Sequence, residues 1–81
     1  MYYVYILQSE NDGKFYIGST SDLQARLDFH NSGKQRSTRH RIPFKIIYTE
    51  EYVDKSDALK REKQIKSYKG GNAFKKLIPG M

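Results

Sequence analysis

The sequence predicts an α+β fold: a three-stranded, mainly antiparallel sheet flanked by two main helices and a short C-terminal helix, in the order β-β-α-β-α-α. Two runs rich in β-branched and aromatic residues, joined by an Asp-Gly turn, indicate a hairpin. Two later segments repeat apolar residues at helical spacing, and a third β-rich run separates them. A chain of 81 residues has room for one modest core, so residues 1–81 are expected to form one domain.

The hairpin is predicted to occupy residues 2–18. Residues 2–8 have the composition of a strand and are too few for a helix of typical length. Asp12 and Gly13 form the turn, because glycine adopts a positive φ at little cost, and residues 15–18 form the return strand. Gly18 is expected to end that strand, where it marks either a close backbone approach or a simple tight turn.

The first helix is predicted to start near residue 22 and to stop near residues 31–33. Ser21 and Gln24 have the spacing of a capping box, Asp22 suits the positive helix terminus, and Gly33 serves as the C-cap. Residues 34–41 are polar, basic and aperiodic, which predicts a surface loop. That loop is either an arm that contacts phosphates or a mobile connector.

The second half of the chain is predicted to supply one strand and two helices. The strand covers residues 44–49, or extends to residue 53, and its direction is not determined by the connection that precedes it. The long helix runs from Ser56 to about Tyr68, with Asp54 or Ser56 as its cap. Its inward stripe carries one acid and is expected to comprise Ala58, Leu59, Glu62, Ile65 and Lys66. The short helix covers residues 72–78, with inward side chains from Phe74, Leu77 and Ile78.

The basic residues are segregated along the chain, whose net charge is +6. Most of them lie in two windows that contain a single acid, Glu62: Lys34, Arg36, Arg39, Arg41 and Lys45, then Lys60, Arg61, Lys63, Lys66, Lys69, Lys75 and Lys76. On the surface of an ordinary soluble protein, positively and negatively charged side chains are interspersed. Segregation of this kind favours a positive face that binds a phosphate backbone.

Other features restrict the class of protein. The chain has no cysteine, so it can form neither a disulfide framework nor a thiolate metal site. It shows neither the basic N-terminal region nor the small-residue cleavage site of a signal peptide, and it has no long apolar segment. A cytoplasmic protein without membrane contact is expected, and its oligomeric state is open.

Five polar residues are expected to gather around one solvent-reachable pocket: Tyr5, Tyr16, Arg26, His30 and Glu62. Hydrolysis of a phosphodiester needs an activated water, a cation on the non-bridging oxygens and stabilisation of the leaving oxygen. Arg26 suits the phosphate, and Glu62 suits a single Mg²⁺ that keeps waters and phosphate oxygens as its other ligands. Either Tyr16 or His30 is the base: tyrosine needs nearby cations because its reference pKa is about 10, whereas that of histidine is about 6.5.

A structural interpretation exists for each of these residues. Tyr5 can be a core residue with its hydroxyl at the rim, and His30 can be a polar contact at a helix end. Arg26 can pair with Glu62, and Glu62 can form an ordinary salt bridge with Lys66 four residues later.

The same residues resemble the GIY-YIG nuclease domain. Tyr3-Val4-Tyr5 stands at the first triplet and Tyr16-Ile17-Gly18 at the second. Arg26, His30 and Glu62 follow at the spacing of the family, over nearly the whole chain. The sequence is most similar to small stand-alone bacterial members, described as excinuclease-subunit-C-like endonucleases. It departs from the family pattern at Tyr3, which replaces a glycine, and at Ser19, where some members carry a lysine.

The resemblance implies a role for each residue. Tyr16 is the general base or orients the water, Tyr5 supports it, Arg26 stabilises the phosphate and His30 assists proton transfer. Glu62 binds one divalent metal, Mg²⁺ or Mn²⁺. The implied substrate is DNA, branched or damaged DNA included. The residues expected to bind it come from the two basic windows: Lys34, Arg36, Arg39, Arg41, Lys63, Lys66 and Lys69.

Two other functions remain open from the sequence. One is a nucleic-acid-binding module of the same fold that has lost turnover. The other is a structural or adaptor domain in which the inward polar residues form a stabilising network.

Overall fold

A computed structural model describes residues 1–78. The elements follow the predicted order: β1 (Tyr2–Ser9), β2 (Phe15–Thr20), α1 (Leu23–Asn31), β3 (Phe44–Tyr52), α2 (Lys55–Ser67) and α3 (Asn72–Leu77), with a 3-10 turn at Arg39–Arg41 before β3. The α+β prediction is confirmed. The predicted end of the domain at residue 81 lies outside the described residues. Within residues 1–78, none of the helices has both the length and the apolar character that a membrane span requires.

β1 is the central strand, and both β2 and β3 pair with it in antiparallel orientation. The direction of β3, which the sequence left open, is therefore settled. The hairpin closes as predicted, with Gly13 at a φ of 73° and a hydrogen bond of 2.9 Å from Ser9 N to Lys14 O. β2 continues past its predicted end at Gly18, because the next two residues still pair with β1.

α1 starts where it was predicted to start, but its cap is Asp22 and not Ser21. Asp22 Oδ1 accepts a hydrogen bond of 3.0 Å from Ala25 N, which satisfies one of the free amides of the first turn. The Gln24 side chain donates to Asp28 Oδ1 at 2.9 Å instead of returning to the cap. The predicted capping box is therefore wrong.

The side chains of β1 alternate between two small cores, one on each face of the sheet. On the first face, here called the α1 face, Leu23 and Leu27 of α1 pack against a buried cluster of Tyr5, Leu7 and Phe44. On the second, the α2 face, the buried cluster comprises Val4, Ile6, Ala58, Ile65, Phe74 and Ile78. α1 thus covers one face, and α2 and α3 cover the other.

β3 contributes to both cores because of a bulge. Ile6 pairs with Tyr48 and Leu7 with Ile46, so Ile47 is the extra residue. Before the bulge, Phe44 packs on the α1 face, and after it Tyr48 packs on the α2 face. Without the extra residue, strict alternation would place these two side chains on the same face.

The inward stripe of α2 differs from the prediction. Ala58 and Ile65 are buried as expected, but Leu59 is 42% exposed and the Lys66 side chain is 53% exposed. Arg61 is half-buried beside Glu62. The stripe therefore follows the helical spacing 58, 61, 62 and 65, so the prediction erred by including Leu59 and Lys66 and omitting Arg61.

Candidate active site

Tyr5 lies at the centre of a polar cluster on the α1 face. Its side chain is only 2% exposed. Arg26 Nε donates to the Tyr5 hydroxyl at 3.4 Å, and His30 Nε2 lies at the same distance, both at the long end for hydrogen bonds. Burial raises the pKa of Tyr5, and the neighbouring Arg26 opposes that shift. Tyr5 therefore remains a neutral phenol near pH 7.

His30 is fully buried in a box of aromatic rings. Its ring centroid lies 4.6 Å from that of Tyr16, 5.8 Å from those of Phe29 and Phe44, and 6.4 Å from that of Tyr5. Burial, followed by the charge of Arg26, lowers the pKa of His30, which keeps the imidazole neutral at pH 7. Its Nδ1 has no hydrogen-bond partner in the part of the chain that the structure describes. Since the ring has no exposed surface, it does not reach solvent.

Asn31, which the sequence did not single out, attaches the end of α1 to β3. Its side-chain amide donates to Phe44 O at 3.1 Å and its carbonyl oxygen accepts from Phe44 N at 2.7 Å. The side chain thus pairs with the backbone of β3 much as another strand would. This contact fixes the turn of α1 that carries His30.

Arg26 and Tyr16 are the half-buried members of the cluster. The Arg26 guanidinium carbon lies 5.0 Å from the centroid of the Phe29 ring. Its contact with Tyr5 raises the pKa of Arg26, and Tyr16 adds to the same shift. Arg26 contacts Tyr5 through Nε, and its two Nη groups are further donors that suit an anion.

Gly18 provides the space into which Tyr5 fits. A Cβ atom built on Gly18 would lie 2.7 Å from Tyr5 Cζ and closer still to the hydroxyl oxygen, a separation that real side chains do not tolerate. Gly18 also pairs with Tyr5 across the two strands. The expected close approach is thus present, and it is made by a tyrosine side chain of the same protein.

Glu62 approaches β2 from the α2 face. Its Oε1 accepts a hydrogen bond of 2.6 Å from Ser19 Oγ, its Oε2 lies 2.7 Å from Lys66 Nζ, and its side chain is 17% exposed. Ser19 follows Gly18 directly, so the two parts of the candidate site meet at adjacent residues of an edge strand. Glu62 is close enough for its charge to contribute to the raised pKa of Tyr5.

The expectation of one shared pocket is therefore wrong. Tyr5, Tyr16, Arg26 and His30 come together on the α1 face, whereas Glu62 lies on the other side of β2. No closed pocket is found among residues 1–78. The site is instead an open one that follows the outer edge of β2.

The residues suit a divalent cation bound through one carboxylate. No group of three or more His, Cys, Asp or Glu side chains that could hold a metal occurs in residues 1–78. Mg²⁺ seldom uses such a cage and usually keeps waters and substrate phosphate oxygens beside one or two carboxylates. Glu62, partly exposed at a strand edge, fits that kind of site.

Glu50 is a second acid whose side chain points inward, whereas Glu62 was predicted to be the only inward-facing acid. Its side chain is 17% exposed, and Arg61 binds it with Nε at 2.8 Å and Nη2 at 3.0 Å. The hydroxyls of Tyr48 and Tyr52 also donate to it. Burial raises the pKa of Glu50, but these four hydrogen bonds outweigh it and hold the pKa at about 2. Arg61, the residue before Glu62 in α2, thus attaches the helix to β3.

Arg41 is the one predicted nucleic-acid contact that is not an exposed side chain. Lys34, Arg36, Arg39, Lys63, Lys66 and Lys69 are exposed. Arg41 is half-buried, with Nε 3.3 Å from Asp12 Oδ2 and Nη2 donating to Phe15 O at 3.3 Å. It fastens the basic loop to the hairpin, and Thr38 of the same loop is buried, so the loop is not entirely a surface segment.

Comparison with known proteins shows the family of the chain. The model of the GIY-YIG catalytic domain matches residues 1–75. A UPF0213 protein of Staphylococcus epidermidis is 41% identical over 80 residues, which is 98% of this chain and 96% of that protein. A UPF0213 protein of Streptococcus pneumoniae is 43% identical over 83% of this chain and 68% of that protein. The solution structure of a UPF0213 protein from Bacillus halodurans is 35% identical, with a TM-score of 0.49 and 90% of each chain covered. The chain belongs to the GIY-YIG catalytic domain family.

Proposed function

We propose that this protein is an endonuclease that hydrolyses phosphodiester bonds in DNA, branched or damaged DNA included, with the help of one divalent metal ion. The observation that carries the proposal is the meeting of the Tyr5, Arg26 and His30 cluster with the Glu62 carboxylate at Gly18 and Ser19. The chain belongs to the GIY-YIG family. At this edge of β2, Arg26 would supply a cation for the phosphate and Glu62 a carboxylate for the metal.

Arg26 binds the non-bridging oxygens of the scissile phosphate through its Nη groups. Tyr16 takes a proton at Oη from the attacking water while its own hydroxyl proton passes to solvent. The water oxygen bonds to phosphorus as the bond to the leaving oxygen breaks, and the leaving oxygen takes a proton from solvent. Glu62 would hold Mg²⁺ or Mn²⁺, which supplies stabilisation of the charge on the leaving oxygen when it is bound.

Burial favours Tyr16 over His30 as the base. A general base must come within hydrogen-bond distance of the water that it activates. Tyr16 is half-buried, whereas His30 is 0% exposed. His30 therefore acts as a positioning residue that holds the rings of Tyr5 and Tyr16.

A cleavage assay tests the proposal. Nicked, branched and linear DNA are incubated with the protein and Mg²⁺ or Mn²⁺, and products are counted on a denaturing gel. Arg26→Ala, Glu62→Gln and Tyr16→Phe should each lower the cleavage rate by about a hundredfold or more, the scale for loss of one charge-stabilising group. Glu51→Gln, a change of the same kind at an exposed residue of β3, should cleave like the original protein. Cleavage that survives in both Arg26→Ala and Glu62→Gln would contradict the proposal.

One observation favours a second function, a DNA-binding module without turnover. Both carboxylate oxygens of Glu62 already have partners within the protein, Ser19 and Lys66. Such a module would bind DNA with an affinity that falls steeply with salt, by a slope of about 0.9 per phosphate neutralised, and Glu62→Gln would leave the affinity unchanged. Absence of cleavage together with such binding would favour this alternative.

A further inference from the structure

The two oxygens of the Glu62 carboxylate are held by unequal partners. Oε1 accepts from the Ser19 hydroxyl, which is part of β2 and has one rotatable bond between it and the backbone. Oε2 pairs with Lys66 Nζ, at the end of a flexible side chain that is 53% exposed. The Glu62 side chain is itself 17% exposed. One oxygen is thus fixed to the sheet, and the other contacts a mobile cation.

The Lys66 contact is weak enough to be exchanged. Pairs of Glu and Lys at this helical spacing, with one partner exposed, contribute about two- to fivefold to an equilibrium constant. A lysine ammonium also regains its hydration and its side-chain freedom when it is released. The Ser19 contact does not have to break for a ligand to reach Oε2.

We propose that Ser19 is a positioning residue for Glu62 and that Lys66 is an exchangeable cation on Oε2, which a divalent metal displaces. The inference deepens the proposed function, because it rests on Glu62 as the metal ligand and identifies the oxygen involved. In the protein without metal, Lys66 neutralises the half-buried Glu62 carboxylate, which would otherwise have no cation beside it. In the metal-bound protein, Lys66 returns to solvent while Ser19 still orients the carboxylate.

Mn²⁺ titration tests the role of Lys66 without any cleavage measurement. Free Mn²⁺ is followed by electron paramagnetic resonance in the original protein, Lys66→Gln and Lys60→Gln. Lys60 is an exposed lysine of the same helix, so its replacement removes the same charge without touching Glu62. Lys66→Gln should bind Mn²⁺ about two- to fivefold more tightly than Lys60→Gln. Equal affinities in the two variants would overturn the exchange.

The role of Ser19 is tested by a pair of variants and a spectroscopic signal. Ser19→Ala should weaken Mn²⁺ binding, and Ser19→Thr, which keeps the hydroxyl, should restore it. In the original protein, saturating Mg²⁺ should shift the side-chain ammonium NMR signal of Lys66 and leave that of Lys60 in place. Loss of binding in Ser19→Thr as large as in Ser19→Ala, or an unmoved Lys66 signal, would overturn the inference.

Glu62→Gln separates this inference from the proposed function. If Glu62→Gln leaves Mn²⁺ binding unchanged, Glu62 is not the ligand and both fail. If Glu62→Gln abolishes binding while Lys66→Gln and Lys60→Gln behave alike, the metal site stands and only the exchange fails.

Discussion

At the scale of single residues, Tyr5 packs so closely against Gly18 that no side chain fits at that position. Tyr5 cannot move aside, because Arg26 and His30 contact its hydroxyl and its ring belongs to the buried cluster on the α1 face. The backbone of β2 is likewise held by its pairing with β1. The second triplet of the family thus ends in a residue whose lack of a side chain is a packing requirement in this fold.

Gly18→Ala should destabilise the protein by about 1–3 kcal/mol, the usual cost of extra volume in a packed core. Urea denaturation measures the change. Tyr5→Phe removes the atom closest to the added methyl group. The double variant should therefore lose less free energy of unfolding than the two single variants lose when their changes are added. Strict additivity would mean that Tyr5 and Gly18 do not contact each other in solution.

Some residues of the site were predictable from the sequence and others were not. Arg26 and His30 could be placed together because a spacing of four residues defines one helix face. Glu50 was missed because the face of the sheet on which it lies, and so its contact with Arg61, depends on the bulge at Ile47, for which the residues of β3 give no local signal. Asp22 rather than Ser21 became the cap through a difference of one residue, which is within the range by which helix ends vary.

At the scale of elements, α2 is positioned by polar contacts in addition to its apolar stripe. Arg61 and Glu62 are neighbours on this helix, and they contact opposite edge strands of the sheet, β3 and β2. The Arg61 to Glu50 pair is bidentate, and its side chains are 22% and 17% exposed. Such geometry makes the pair stronger than ordinary surface ion pairs.

Arg61→Ala should destabilise the protein by about 1–3 kcal/mol, because it leaves the Glu50 carboxylate half-buried without its cation. Lys60→Ala, a loss of the same charge on the neighbouring exposed position, should change the free energy of unfolding by less than about 0.5 kcal/mol. Chemical denaturation of both variants gives the comparison. Similar stability of the two would show that the Glu50 pair does not fasten α2.

At the scale of the whole molecule, the sheet separates two cores and two parts of a site. The sequence predicted the order of the elements because hydrophobic periodicity and turn residues are local signals. It could not predict that α1 and α2 cover opposite faces, since that depends on pairing between distant strands. The expected single pocket failed for this reason, although Arg26, His30 and Glu62 each point toward the sheet as predicted.

Acid should destabilise the folded protein in two separate ranges of pH. The pKa of His30 lies below its ordinary 6.5 in the folded state, so the unfolded chain binds more protons and stability falls as the pH drops from about 6.5. The pKa of Glu50 is about 2 instead of 4.5, so stability falls again between those values. Urea denaturation at a series of pH values measures both slopes.

The loss of stability in each pH range can be tested with a separate substitution. His30→Gln should abolish the fall that begins near pH 6.5 and keep the one below pH 4.5, whereas Glu50→Gln should keep the first and reduce the second, to which the lowered pKa of Asp12 also contributes. His40→Gln, at an exposed position of the basic loop, should retain both. A slope below pH 6.5 that persists in His30→Gln would show that another group is responsible.

The extra residue at Ile47 also limits how the length of this chain can vary. Loss or gain of one residue within β3 would rotate every following side chain to the other face. Tyr48, Glu50 and Tyr52 would then turn away from Arg61, and the helix that carries Glu62 would lose its polar attachment to β3. Insertions and deletions in natural variants should therefore be tolerated in the turns and selected against in this strand.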